Sequence, residues 1–410
     1  MKRTFKFIAL LSVACTFTFV SCTKEKDRPS DKDVTPKKAV CITDESKLAM
    51  INSLKNIDGQ GRLYEVNYTV DYKLDEVIAK DCKGLNGLFN TIAELLFDQM
   101  PKNPVNVKFG AGCSAFAVPE AEGIDFLMGR NYDFRHSDET GYKPIAAILV
   151  RTAPKDGKKS ISLVDGYNLG FGQGFYETPN VDMSLLMGLP YALLDGINED
   201  GFSIGVLALR EKPTIQQAPG KHRIGTTVAM RLLLDKVSTV REAIELLEGS
   251  FNLDTSIDGN LPPESATPED YVTYHYFMAD ATGDFAIVEY TYDGTATYVN
   301  PDKMEYFQGD DAYRYLTNFY VSDTMKDRPE GKNNSTHGLD RYNTLKNTLY
   351  HTGYQLSEEE AMQLLFYVSQ APTEDFTSQT QWSSLYNLSD RSLTLAILRE
   401  YGILYNFKVE

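Results

Sequence analysis

Cys113, Arg130 and Asp133 are a thiol, a guanidinium and a carboxylate close together in the chain, a set suited to nucleophilic chemistry. A guanidinium beside a thiol favours the thiolate, and a carboxylate can hold an adjacent amine or orient a proton in transit. The approach to the thiol, Phe109-Gly110-Ala111-Gly112, is small and flexible. Chain of that kind is easily bent or strained, as a bond that cleaves itself requires, so the expected cut lies between Gly112 and Cys113. The histidines offer less. His275 is the natural partner for a papain-like cysteine, but it sits in a strand-like run of alternating Tyr and Thr. No papain-type sequence surrounds Cys113. His136, His222, His337 and His351 are scattered without metal-ligand spacing.

The elements that position these groups are legible in outline. Cys113–Val118 and Asp125–Gly129 read as two strands joined by an acidic, Gly-containing turn. Such a hairpin brings Arg130 and Asp133, placed just after the second strand, beside the cysteine. Further strands are expected at 145–150, 161–164, 202–209, 272–279, 285–290, 296–299, 383–388 and 393–398, with turns at Asn198-Glu-Asp-Gly201 and Asp280-Ala-Thr-Gly-Asp284. Helical spacing marks 226–236, 240–247, 341–349 and 357–368, the last opened by a Ser357/Glu360 capping box. Before Pro101 and Pro104 the pattern is mostly helical, at 44–54, 74–79 and 85–97. Arg62–Val70 alternates like a strand. Hairpins first, helices in the middle and late, then strands again, point to antiparallel sheets covered by helices.

Composition and the first residues set the compartment. Lys2, Arg3 and Lys6 precede a short apolar run from Phe7 to Val20, the layout of a secretory signal. Phe19-Val20-Ser21-Cys22 followed by a charged stretch resembles a bacterial lipoprotein signal, which implies that Cys22 is lipidated; ordinary signal cleavage, with Cys22 left as a free thiol, is the alternative. The expected organisation is a signal over 1–21, a lipidated tether over 22–40, a helical pro-segment or small subunit over 41–112, and a catalytic domain over 113–410. The destination is a bacterial membrane surface, reached through the lipid alone. A net charge of −16 argues against nucleic-acid partners. The hydrophobic share of 42% and aromatic share of 11% exclude a disordered chain. Of five cysteines, Cys15 leaves with the signal; Cys41 and Cys82 either pair or stay as free thiols, and Cys113 is the odd one out.

Cys113-Ser-Ala-Phe116 and Gly129-Arg-Asn-Tyr-Asp-Phe134 together resemble the start of the mature chain in the choloylglycine hydrolase family of N-terminal nucleophile (Ntn) amidases. Other segments follow in family order. They are Asp195-Gly-Ile-Asn-Glu-Asp-Gly201, Glu289-Tyr with Asn300-Pro301, Leu316-Thr-Asn-Phe-Tyr320, Asp340-Arg-Tyr342 and Thr380–Leu388. The resemblance implies an α+β fold, the four-layer αββα Ntn-hydrolase sandwich, preceded here by a helical pro-segment. It implies hydrolysis of a linear amide, an N-acyl amide substrate, through a thioester and with no cofactor or metal. Cys113 is then the nucleophile with its own α-amine as base, tuned by Arg130 and Asp133. Asn318 donates to the oxyanion and Arg341 braces the site.

Two departures stand out. Ten residues beyond Asn198, where the family often carries a substrate-facing Asn or Tyr, the chain has Ala208 with Leu209 next. Neither side chain can donate, which leaves a backbone N–H or a one-residue shift of register. The long segment before Cys113 is the second, and it is similar to the acid ceramidase and N-acylethanolamine acid amidase branch, where the cleaved segment is retained as a small subunit. Conjugated bile salt hydrolysis or a penicillin acylase-like activity is the alternative within the family. A non-catalytic ligand-binding lipoprotein is the alternative outside it.

Overall fold

The computed structural model describes residues 38–101, 112–121, 123–134, 136–138, 141–142, 145–209, 213–260, 273–291, 303–326, 338–372 and 379–410. The expected signal, Cys22, the expected tether up to residue 37, Phe109–Ala111, the strand expected at 296–299, Asn300-Pro301 and His337 lie outside the described residues.

Two sheets form the centre. The first has nine strands: β1 (Lys55–Asn56), β2 (Leu63–Tyr68), β5 (Ala147–Thr152), β6 (Ser160–Asp165), β7 (Leu193–Asn198), β8 (Ser203–Leu209), β9 (Thr273–Ala279), β10 (Phe285–Thr291) and β11 (Lys303–Phe307), adjacent in that order. The second runs β12 (Tyr315–Leu316), β3 (Gly112–Pro119), β4 (Phe126–Phe134), β13 (Gln379–Asn387), β14 (Ser392–Ile397) and β15 (Tyr405–Lys408). Within both sheets every pairing is antiparallel except β2 with β5, as expected of sheets built mostly from sequential hairpins.

The sheets face each other across a shared core, and side chains of β4 and β13 reach groups of β7 and β8. Helices α4 (Thr226–Lys236) and α5 (Val240–Ser250) cover the outer face of the first sheet. Helices α6 (Leu339–His351) and α7 (Glu358–Tyr367) cover that of the second. This is the four-layer αββα sandwich. Burial on both faces explains why strands such as β8, Ser-Ile-Gly-Val-Leu-Ala-Leu, are buried throughout and read as apolar runs without alternation. Helix α7 starts at the anticipated capping box, with Ser357 and Glu360 each bonding the other's backbone.

The segment before Cys113 supplies three helices, α1 (Glu45–Asn52), α2 (Leu74–Ala79) and α3 (Gly84–Leu96), and also β2, which lies parallel along β5 from Leu63↔Ala147 to Tyr68↔Thr152. Tyr68 Oη donates to Met187 O at 2.7 Å, and Tyr72 Oη to Asp235 at 2.5 Å. Arg62 is bonded to Asp58 and Glu400. Cys41 and Cys82 are free thiols.

Two local expectations change. Strand β4 runs to Phe134, so Arg130 and Asp133 stand inside it rather than after it. Strand β7, with Asp195 and Gly196 at its centre, carries residues that strands disfavour; it is paired on both edges, with β6 and β8, and Asp195 finds charged and polar partners across the core.

Candidate active site

The β3–β4 hairpin sets the site. Its register pairs Gly112 with Asp133, Cys113 with Tyr132 and Ala115 with Arg130. The side chains of Cys113, Ala115, Arg130 and Tyr132 therefore share the face toward the first sheet. Arg130 Nη2 lies 3.4 Å from Cys113 Sγ and donates to Val206 O at 2.7 Å, while Nη1 is bonded to Asp195. Guanidinium and carboxylate are both fully buried. Asp195 also accepts from Tyr386 Oη at 2.8 Å and from Trp382 Nε1 at 3.1 Å. Gly205 makes room for this, since a Cβ there would sit 2.7 Å from Arg130 Cδ.

Asp133 stands opposite Gly112, on the other side of the expected cut. It accepts from Thr380 Oγ1 at 2.5 Å and Gln370 Nε2 at 2.6 Å, and lies 3.4 Å from Arg341 Nη1. Burial pushes its carboxyl above the usual range, against the pull of Arg341 and these hydrogen bonds. Burial likewise pushes the Cys113 thiol up. Arg130 pulls it back, Asp133 raises it, and the Asp133 backbone N–H and Arg341 lower it. Burial thus favours the neutral thiol of Cys113, while the Arg130 guanidinium beside it favours the thiolate.

Asn318, just past β12, ties the remaining pieces together. Its Oδ1 accepts from the Cys113 backbone N–H at 2.7 Å and from Arg341 Nη2 at 2.8 Å; its Nδ2 donates to Ala208 O at 2.9 Å. Arg341 Nη1 is bonded to the Cys113 carbonyl. Arg341 enters from the first turn of α6, whose N-cap, Gly338, has φ +81° and no room for a side chain: a Cβ would meet Arg341 Nη2 at 2.6 Å. Cys113, Arg130, Asp133, Asn318 and Arg341, scattered over more than two hundred residues, converge on one point.

The three other expected positions do not behave alike. Asn198 is not substrate-facing. Its Nδ2 donates to Leu234 O and Val237 O, and its Oδ1 accepts from Asp200 N and Phe202 N, so the amide is spent on its own turn and α4. Leu209 is packed against Tyr320 and Met325. Ala208 is at the site through its backbone. The β7–β8 pairing ends at Gly205, and beyond it the carbonyls of Val206 and Ala208 meet Arg130 and Asn318 instead of a strand. The Ala208 N–H points to the same side as its carbonyl.

Reading the chain alone passed over Gln370 and gave no individual role to Asp195, Thr380, Trp382 and Tyr386, although they lie in two of the segments quoted for the resemblance. Trp382 and Tyr386 are four apart and so share a face of β13, a period-two signal that gains meaning only once the opposite sheet is known. His275 has no nitrogen for Cys113: Nδ1 meets Glu289 Oε1 at 3.2 Å and Nε2 meets Thr317 O at 2.9 Å, which removes the papain-like arrangement. Among the described residues no cluster of three or more His, Cys, Asp or Glu could hold a metal ion.

A family model described as linear amide C-N hydrolases, choloylglycine hydrolase family, matches residues 113–324. Among solved structures, a mutant of conjugated bile acid hydrolase from Clostridium perfringens is similar at 18% identity and a TM-score of 0.47, over 72% of this chain and 92% of the other. Another variant of that enzyme gives the same identity and coverage with a TM-score of 0.48. Penicillin V acylase from Agrobacterium tumefaciens is similar at 19% identity and a TM-score of 0.42, over 70% of this chain and 83% of the other. No curated protein matches.

Proposed function

The chain belongs to the choloylglycine hydrolase family of linear amide C-N hydrolases, and from that premise we propose that its nucleophile is Cys113, freed as an N-terminal residue by self-cleavage after Gly112. The reaction class is hydrolysis of a carbon–nitrogen bond in a linear amide. One observation carries the finer reading. Asn318 holds the Cys113 N–H at 2.7 Å while Arg130 stands 3.4 Å from the thiol, so the future amine and the nucleophile are both held before any bond is cut.

Cleavage begins when the Cys113 thiol adds to the Gly112 carbonyl, and its proton is the one handed on to the Cys113 nitrogen. The C–N bond breaks as the nitrogen takes a proton, and water hydrolyses the resulting thioester. The freed amine, with an unperturbed pKa near ~8, then accepts the thiol proton at neutral pH without a histidine. In turnover the thiolate adds to the substrate carbonyl. The second proton of Asn318 Nδ2 and the Ala208 N–H are the donors available to the oxyanion. The amine product leaves with a proton, and water releases the acid from the thioester. The short side chain at Ala208 costs nothing in this scheme, because the backbone donates.

The substrate proposed is an N-acyl amide with an apolar acyl group. The segment ahead of Cys113 stays as a small subunit, and Cys22 carries a lipid that holds the enzyme at a bacterial membrane. Intact-mass measurement is the first test. Wild-type chain gains a fragment starting at Cys113, and Cys113→Ala stays whole; cleavage of the alanine variant would overturn self-processing. Incubating cleaved enzyme with fatty-acyl amides, conjugated bile acids and acylated amino acids, with mass detection of released amine, then identifies the substrate class.

A further inference from the structure

The segment from Thr317 to Ser322 leaves β12 and runs outside any strand, so its backbone groups have no ladder to satisfy them. Two buried side chains of the first sheet meet them. His275 on β9 and Glu289 on β10 stand one step past the paired residues Tyr276↔Val288, and both side chains are fully buried. A carbonyl only accepts, so His275 Nε2–H donates to Thr317 O at 2.9 Å. Its Nδ1 faces Glu289 Oε1 at 3.2 Å. The Glu289 carboxyl accepts from Val321 N at 2.8 Å through Oε1 and from Ser322 N at 3.0 Å through Oε2.

These contacts bracket Asn318 by backbone groups on both sides. Asn318 in turn touches the Cys113 nitrogen, Arg341 and Ala208. We propose that His275 and Glu289 are positioning residues for the amide chemistry, a buried clamp that sets where the Asn318 amide sits relative to Cys113. The inference rests on the reading of Cys113 and Asn318 given above. The clamp touches no reacting atom. It works by denying the loop its freedom, and a misplacement near 1 Å at a reacting group costs on the order of 10²-fold in rate.

The test compares His275→Leu, His275→Gln and Glu289→Gln with wild type, each alone and in an Asn318→Ala background. Turnover of fluorogenic N-acyl aminocoumarins is expressed per reactive Cys113 thiol, counted by iodoacetamide labelling. The half-time of Gly112–Cys113 cleavage is a second readout that needs no added substrate. The expected result is a fall in kcat of roughly 10- to 100-fold for His275→Leu and Glu289→Gln with KM little changed. Partial recovery is expected in His275→Gln, whose amide can still reach the Thr317 carbonyl. Adding either change to Asn318→Ala should do nothing further, since the clamp acts only through that residue. A purely structural role predicts less titratable thiol at unchanged kcat per thiol, and that result overturns the clamp. So does a full, additive loss in the Asn318→Ala background. Wild-type kcat in Asn318→Ala alone overturns the parent reading instead. Should His275→Leu fail to fold, the isosteric Glu289→Gln carries the comparison.

Discussion

Asp195 holds Arg130 at one end of a buried chain of contacts and also accepts from Trp382 and Tyr386. Charges this deep are tolerated only when paired, and deleting one partner leaves the other uncompensated. Asp195→Asn keeps the shape and removes the charge. It should cost roughly 3–5 kcal/mol in denaturant unfolding, whereas a change below about 1 kcal/mol would show that Arg130 finds another anion. The Cys113 thiol offers a pH test. Its ordinary value is near ~8.5, and burial raises it while the Gly112–Cys113 bond is intact. A raised thiol pKa means less thiolate at any given pH, so in a partly cleaved sample the whole chain should resist iodoacetamide at Cys113 until the solution is more alkaline than that. The cleaved chain, with an amine to take the proton, should label near neutrality. Peptide mapping separates Cys113 from Cys41 and Cys82; equal labelling of the two species at neutral pH would contradict this account.

Helix α7 shows how an element far from the thiol holds the site. It packs on β4 and β13, and Asn131 Nδ2 of β4 donates to Leu365 O at 2.8 Å. Its start depends on the Ser357–Glu360 box. Ser357→Ala should lower stability by about 1 kcal/mol with amide turnover per folded molecule unchanged, as thermal melts beside activity assays would reveal. Such helices were legible in the chain because capping and 3.6-residue spacing are local signals. The short strand β12 and the Asp-Gly strand β7 were not. Strand β12 exists only by pairing with β3, about two hundred residues earlier. Strand β7 is held by β6 and β8, with the Asp195 side chain satisfied from the opposite sheet.

Across the whole molecule, the segment before Cys113 is built into the first sheet. Strand β2 lies along β5, Tyr68 and Tyr72 are bonded into the body, and Ile51, Leu63, Val66 and Leu88 belong to the main core. After cleavage the two pieces should therefore co-elute in size exclusion without denaturant and separate in guanidinium. Loss of the small piece under native conditions would mean that cleavage loosens β2.

The chain by itself marked Cys113 as the odd cysteine behind a small, flexible approach, the hairpin that brings Arg130 and Asp133 near it, and most of the helices. Each of these follows from residue type, periodicity or a turn close in sequence. Motif order further pointed to Asn318 and Arg341. The tertiary structure alone decided what surrounds them. The stacked sheets made Asp195 the partner of Arg130, turned Asn198 into a turn lock, and left the Ala208 backbone at the site. They also spent His275 on the Thr317 carbonyl rather than on Cys113. Those assignments depend on which face of one sheet meets which edge of the other, and that is set by packing two buried surfaces together rather than by local sequence.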